Sequence, residues 1–200
     1  MLTVEAVRCA ALRQDVYALR YRAYLHEGAI EPNPSGLFRD RYDDQPNHIL
    51  WALFDEGKLR GSLRTVWFHP RDPWSIPERD CFPEAIAQTL PPEARLIAGN
   101  RFVTEPFRAH RTAAYAMELL KHHLARMPGR ADYALAAVRA NHLRFYRQIM
   151  RMDRISEPRI YPGLNCPMYL LASNVEQNLT VIWAHTPALR PDPMTDEAAA

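Results

Sequence analysis

The order of four segments limits this chain most: RLIAGNRFV, then TEPFRA, then HRTAAYAMELLKHHLARM, then YALAAV. An apolar, strand-like run ends in a Pro-containing turn, an amphipathic helix follows at once, and a short buried strand comes next. Ala113, Met117, Leu120 and Leu124 recur at helical spacing and give that helix one apolar face. Before this unit, HILWALFD and GSLRTVWF are apolar, β-rich runs joined by EGKLR, which reads as a hairpin. After it come a second helix, ANHLRFYRQIM, and two late runs read as strands, PMYLLAS and LTVIWA. Near the start, DVYALRYRAYLHEG reads as a helix with Asp15 as its cap and Gly28 as its stop. FPEAIAQTL reads as a short helix. A hairpin followed by strand–helix units predicts an α/β fold: one central mixed, twisted sheet with helices on both faces.

Two hundred residues suffice for one well-buried domain, and no internal boundary is visible. The expectation is a single domain over residues 1–186 and a flexible C-terminal tail over 187–200. There is no 18-residue apolar run and no leader pattern, so the expectation is a cytoplasmic protein without stable membrane insertion. Cys9, Cys81 and Cys166 are too widely separated for a zinc knuckle or a disulfide framework. His122 and His123 read as exposed helix residues, so no metal is expected.

Charge is unevenly placed. The net is only +2, but residues 101–160 hold 12 Lys and Arg against 5 Asp and Glu. A basic half invites an acidic partner. The turn before the amphipathic helix carries Arg108, His110 and Arg111 at a helix start, where the dipole already disfavours cations. Unpaired N–H groups and arginines at that position suit a phosphate. GxxxxGK[ST] and GxGxxG are both absent, and the basic residues match no nucleic-acid-binding motif, so no nucleic acid is expected. What remains is a loop RxxRTA, opened by Arg108 and closed by Ala113.

That loop resembles motif A of the GNAT acyltransferases, which runs roughly Arg/Gln-x-x-Gly-x-Gly/Ala and holds the pantetheine pyrophosphate. NHLRFYRQIMRMDRI resembles motif B of the same superfamily, an Asn and then a helix carrying Phe-Tyr before a late strand. LRYRAYLHEGAIEP, FRDRYDDQPNHILWALFDEGKLRGSLRTVWF and AGNRFV narrow the resemblance to one branch. That branch comprises the acyl-homoserine-lactone (autoinducer) synthases and the long-chain N-acyl amino acid synthases. Arg20 with Tyr24, Asp40 with Asp43, Gly61 with Arg64, and Arg101 with Phe102 carry the match, which covers about residues 12–172.

The resemblance implies a single GNAT-like domain that transfers an acyl group from a thioester to an amine. It makes acyl-phosphopantetheine, on acyl carrier protein or coenzyme A, a co-substrate rather than a tightly bound cofactor. Two positions depart from the pattern. Arg111 stands where the pyrophosphate loop has its middle glycine, which favours acyl carrier protein as donor and partner. Ala98 stands where autoinducer synthases carry a Glu three residues before the Arg matched by Arg101, which leans toward the N-acyl amino acid side.

By resemblance, Arg101 lies beside the reaction centre and Tyr146 is the acid for the departing thiol. Phe102, Val103, Arg108, Arg111, Thr112, Ala113 and Asn141 would receive the donor's phosphopantetheine arm. Glu105 is a candidate base, directly or through water, or else the ion-pair partner of Arg108. Arg20, Tyr24, Asp40, Asp43 and Arg64 fall on the side of the small-molecule amine acceptor. The two arginines either hold an acceptor carboxylate or lock Asp40 and Asp43 into a structural network, with Arg64–Asp43 the expected pair. WFHPRDPWSIP with Phe38, Trp51, Trp67 and Trp74 could border an acyl tunnel or simply be core. A non-catalytic module binding an acidic partner is the alternative outside enzymology.

Overall fold

In the computed structural model, residues 1–105 and 111–185 are described. Strand β1 (Leu2–Ala6) leads into helix α1 (Ala10–His26), and a long loop with a 3-10 turn at Arg41–Asp44 brings the chain to β2 (His48–Asp55). Glu56 and Gly57 take positive φ, 52° and 72°, the twist that a tight hairpin needs, and β3 (Lys58–Phe68) returns. Two short helices, α2 (Pro77–Cys81) and α3 (Pro83–Thr89), each start on a proline and precede β4 (Leu96–Thr104). Then come α4 (Thr112–Leu124), β5 (Tyr133–Val138), α5 (Leu143–Gln148), β6 (Asp153–Arg154), β7 (Arg159–Ile160), β8 (Pro167–Asn174) and α6 (Val175–His185).

The strands lie in the order β1-β2-β3-β4-β5-β8-β6, with β7 also paired to β8. Every pairing is antiparallel except β4 with β5. That parallel pair is brief: Leu96 lies opposite Tyr133, Ile97 opposite Ala134, Ala98 opposite Leu135, and there the register ends. Beyond Ala98 the two central strands part, and the sheet opens into a fork.

Alternation along the strands sends side chains to two cores. Leu19 of α1, Val66, Phe68, Leu96, Ala98, Leu135 and Leu170 fill the face covered by α1, α2 and α3. Ile97, Ala134, Ala136 and Leu171 fill the opposite face, with Leu124 of α4 and Val175 and Leu179 of α6.

Two expectations fail locally. Residues 179–184 are helical, not a strand: the Asn174 side chain accepts from the Gln177 N–H and caps α6, and Val175 and Leu179 bury one helical stripe. Helix α1 begins five residues before Asp15, with Cys9 at its cap position. Gly28, at φ 63°, does follow the helix end. The proposed tail lies outside the described residues.

Candidate active site

A bulge in β4 decides where the site's chemistry points. Ser62 of β3 lies opposite Val103 and Arg64 opposite Asn100, so two residues of β4, Arg101 and Phe102, answer the single residue Leu63. The extra residue is absorbed by Arg101 at φ 52°. Strict alternation would send Asn100 and Arg101 to opposite faces. With the bulge, both reach the α1 face, and Phe102 turns to the α4 face.

On the α1 face the two side chains complete a buried charge cluster. The sequence DRYD folds as a reciprocal cap: Asp40 accepts from the Tyr42 N–H at 3.0 Å, and Asp43 accepts from the Asp40 N–H at 3.0 Å. This presents both carboxylates to three arginines. Arg20 donates to both Asp43 oxygens at 3.0 Å. Arg64 lies 2.6 Å from Asp40 and 2.9 Å from Asp43. Arg101 donates to Asp40 through Nε at 2.9 Å and NH2 at 2.7 Å. Burial alone would raise the pKa of Asp40, but Arg64 and Arg101 hold it well below the carboxylate range.

Arg101 is almost fully enclosed. NH2 also donates to the Pro162 carbonyl at 2.7 Å, and the guanidinium lies 4.9 Å from the Phe38 ring centre and 5.4 Å from that of Tyr161. NH1 has no hydrogen-bond partner among the described residues. Tyr24 packs edge-on against Phe38, with ring centres 4.9 Å apart. Behind the arginines a third carboxylate, Glu78 of α2, accepts from the Tyr161 hydroxyl at 2.6 Å and from Asn100 Nδ2 at 3.2 Å. Asn100 Oδ1 in turn accepts from Arg64 Nε at 2.8 Å. Burial pushes the pKa values of Glu78 and Tyr161 upward.

On the α4 face, at the fork, lies a cavity of about 470 Å³. Gly99 and Phe102 of β4, Ala134 and Ala136 of β5, Leu120 and His123 of α4, and Tyr146 of α5 are among its walls. His123 is buried against Gly99, and a Cβ on that glycine would stand 3.3 Å from the imidazole. Trp51 Nε1 donates to Thr65 Oγ1 at 2.9 Å, and Thr65 Oγ1 lies 3.1 Å from His123 Nδ1. Burial lowers the His123 pKa to about 4, so the ring is neutral near pH 7. Burial alone pushes the Tyr146 hydroxyl up to about 12.

Residues 15–174 match the family profile described as N-acyl amino acid synthase FeeM. The chain belongs to the FeeM family. It is an acyltransferase of the N-acyl amino acid synthase family. No protein in a search of curated proteins matches it. Its fold is that of FeeM from uncultured soil microbes, itself described as an N-acyl amino acid synthase, with 13% identity and a TM-score of 0.71 over 90% of this chain and 94% of that one. The acyl-homoserine lactone synthase LasI shares the fold at 12% identity and TM-score 0.63, over 92% and 95% of the two chains. BjaI, described as a CoA-dependent acyl-homoserine lactone synthase, does so at 15% identity and TM-score 0.65, over 94% and 90%.

Within this FeeM-family fold the residues singled out from sequence fall in several separate places. Arg20, Asp40, Asp43, Arg64 and Arg101 meet in the charge cluster, with Tyr24 beside it through Phe38. Arg64 reaches both aspartates rather than Asp43 alone. Phe102, Thr112 and Tyr146 line the cavity, whereas Val103 points into the core on the α1 face. Asn141 is exposed in the 3-10 turn Ala140–His142. Glu105 forms an ion pair with Arg60 of β3, and Arg111 forms one with Asp55 at the end of β2. Ala113 lies in the first turn of α4. Arg108 and His110 lie outside the described residues.

Tunnel border and core are the two readings open for the aromatics, and none of Phe38, Trp51, Trp67 and Trp74 is among the walls of the cavity. Phe38 stacks on Arg101, Trp51 packs under the sheet with Leu53 and Leu63, and Trp74 is exposed. Of the two adjacent histidines, His123 is buried, because the helix turns that position toward Gly99. No group of His, Cys, Asp or Glu among the described residues is placed to hold a metal ion. Among them, no helix is long and apolar enough to cross a membrane. Sequence reading does not single out Glu78, Asn100 or Tyr161, and it takes His123 for an exposed residue.

Proposed function

We propose that this chain transfers a fatty acyl group from the thioester of acyl carrier protein to the amino group of a free amino acid. The observation that carries the reading is the fork: an apolar cavity and a guanidinium cluster occupy opposite faces of one sheet, at the point where its central strands part. The acyl chain would fill the cavity. The acceptor's carboxylate would bind Arg101 in place of the Pro162 carbonyl, with NH1 as a further donor. Past Ala98 the edge of β4 has no β5 partner, and backbone N–H groups along that edge would face the thioester oxygen as it becomes an oxyanion. Attack by the amine expels a thiolate, and Tyr146, on the cavity wall, would protonate it.

A basic and apolar surface beside the cavity supports the carrier protein as donor. Arg144, Arg147 and Arg151 are exposed with Phe145 and Ile149, and Phe145 also borders the cavity. That combination fits an acidic protein surface. BjaI favours the second reading, coenzyme A, since that protein is described as CoA-dependent. Supplying each donor with a mixture of amino acids and following N-acylated product by mass spectrometry decides between them. Product from the carrier protein, abolished by Arg101→Ala and reduced by Arg144→Glu with Arg147→Glu, is expected. Equal turnover from coenzyme A, indifferent to the α5 changes, would replace the carrier protein in this reading.

A further inference from the structure

The buried cluster holds three guanidinium groups, Arg20, Arg64 and Arg101, against two aspartates, Asp40 and Asp43. One positive charge is left over. Glu78 is a further buried carboxylate tied to the cluster: it is bonded through Asn100 to Arg64, and through the Tyr161 hydroxyl to the ring that lies against Arg101. It lies on the same face as Ala98, two residues along β4 from Asn100. As a carboxylate, Glu78 brings the cluster to neutrality.

We propose that Glu78, acting through Tyr161, takes the proton that the acceptor's ammonium must lose, while the acceptor's carboxylate becomes the cluster's third anion. This rests on the amino acid acceptor proposed above. The exchange conserves charge. A zwitterion enters a neutral cluster; its ammonium donates to the Tyr161 oxygen, the Tyr161 proton passes to Glu78, and a neutral amine faces the thioester. When the C–N bond forms and the C–S bond breaks, the second amine proton balances the one given to the thiolate. Glu78 returns its proton to water as product leaves.

The surroundings favour this over a purely structural carboxylate. Asp40 and Asp43 are each gripped by two arginines and cannot take a proton near neutral pH. Glu78 meets neutral donors instead, Tyr161 from the segment after β7 and Asn100 from β4. Arg64 of β3 and Cys81 of α2 are the other titratable groups near it. Burial favours its protonated form, the direction that a proton acceptor in a dry site requires. Arrival of a second carboxylate at Arg101 pushes it further the same way.

The test compares kcat/KM against pH for the wild type, Glu78→Gln and Tyr161→Phe, with the preferred amino acid and its carboxamide. Each variant should keep its melting temperature within a few degrees and fall about 100-fold in kcat at pH 7, the usual worth of a positioned base. The activity of both should then climb about tenfold per pH unit toward the pKa of the free amine, because only amine already deprotonated in water reacts. The carboxamide should lose most of its rate with the wild type and little more with Glu78→Gln. If Gln unfolds the protein, Tyr161→Phe, which retains the carboxylate and the ring, carries the comparison alone. Variants with wild-type pH profiles overturn the proton relay while leaving the acyltransfer reading intact. Absence of product from the wild type with every donor removes both.

Discussion

Replacing Asp40 by Asn should be the most costly single change of a polar side chain in this protein. Asp40 accepts five hydrogen bonds: two from Arg64 at 2.6 and 3.1 Å, two from Arg101 at 2.9 and 2.7 Å, and one from the Tyr42 N–H at 3.0 Å. An amide at the Oδ2 position turns its NH2 against Arg101 and Arg64; flipped, it meets Arg64 and the Tyr42 N–H. Either way donor faces donor, with the Arg64 and Arg101 side chains essentially inaccessible to water. Breaking a buried ion pair from one side costs about 3–5 kcal/mol, against a typical total of about 5–15 kcal/mol. For a chain of this size that corresponds to a fall in melting temperature of roughly 6–20 °C. Urea unfolding at pH 7 measures it, and the double variant with Arg101→Met should recover about 0.5–3 kcal/mol, because the unpaired guanidinium is then gone. A loss below about 1 kcal/mol for Asp40→Asn, or strict additivity in the double variant, would refute the shared, desolvated cluster.

Acid should act in two windows. His123, buried neutral with its pKa lowered to about 4, favours the folded state fully above its unfolded value of about 6.5 and loses that contribution as pH falls toward 4. His123→Leu should therefore flatten the stability curve in that interval, as read from denaturant midpoints. Asp40, with its pKa depressed, contributes above about pH 4 and is lost below, so Asp40→Asn should flatten only the more acid part. Gly99→Ala should displace the imidazole, since the new methyl would stand 3.3 Å from it; we expect a cost of about 1–3 kcal/mol and a shift toward shorter acyl chains in product mass spectra. Tyr146→Phe should lower kcat with little change in melting temperature, and an unchanged rate would remove that hydroxyl from thiol protonation.

Local patterns made much of the fold legible. The hairpin, the strand–helix–strand order and the mixed sheet follow from period-2 and helical spacings within a few residues of one another. Asp40 and Asp43 stand out in the sequence only through the family resemblance; the reciprocal cap within DRYD, which presents them side by side, is a short-range device that the reading of a long loop leaves out. Residues 179–184 were misread because Thr180, Val181 and Ile182 have strand propensity, and the cap at Asn174 outweighs it. Glu78, Asn100 and Tyr161 come together from three separate elements, and no spacing announces that. The side of the sheet reached by Arg101 depends on one extra residue in β4, which an alternating pattern cannot reveal. His122 and His123 are neighbours in sequence, yet only His123 lies over Gly99.

The parting of β4 and β5 makes the sheet a partition with one doorway. Under the proposed function, recognition of the two reactants would rest on separate sets of helices: α4 and α5 on one side, α1 and the DRYD turn on the other. Grafting the first set from a relative with a different chain-length preference should transplant that preference alone. The two halves of the product's identity would then be open to change one at a time.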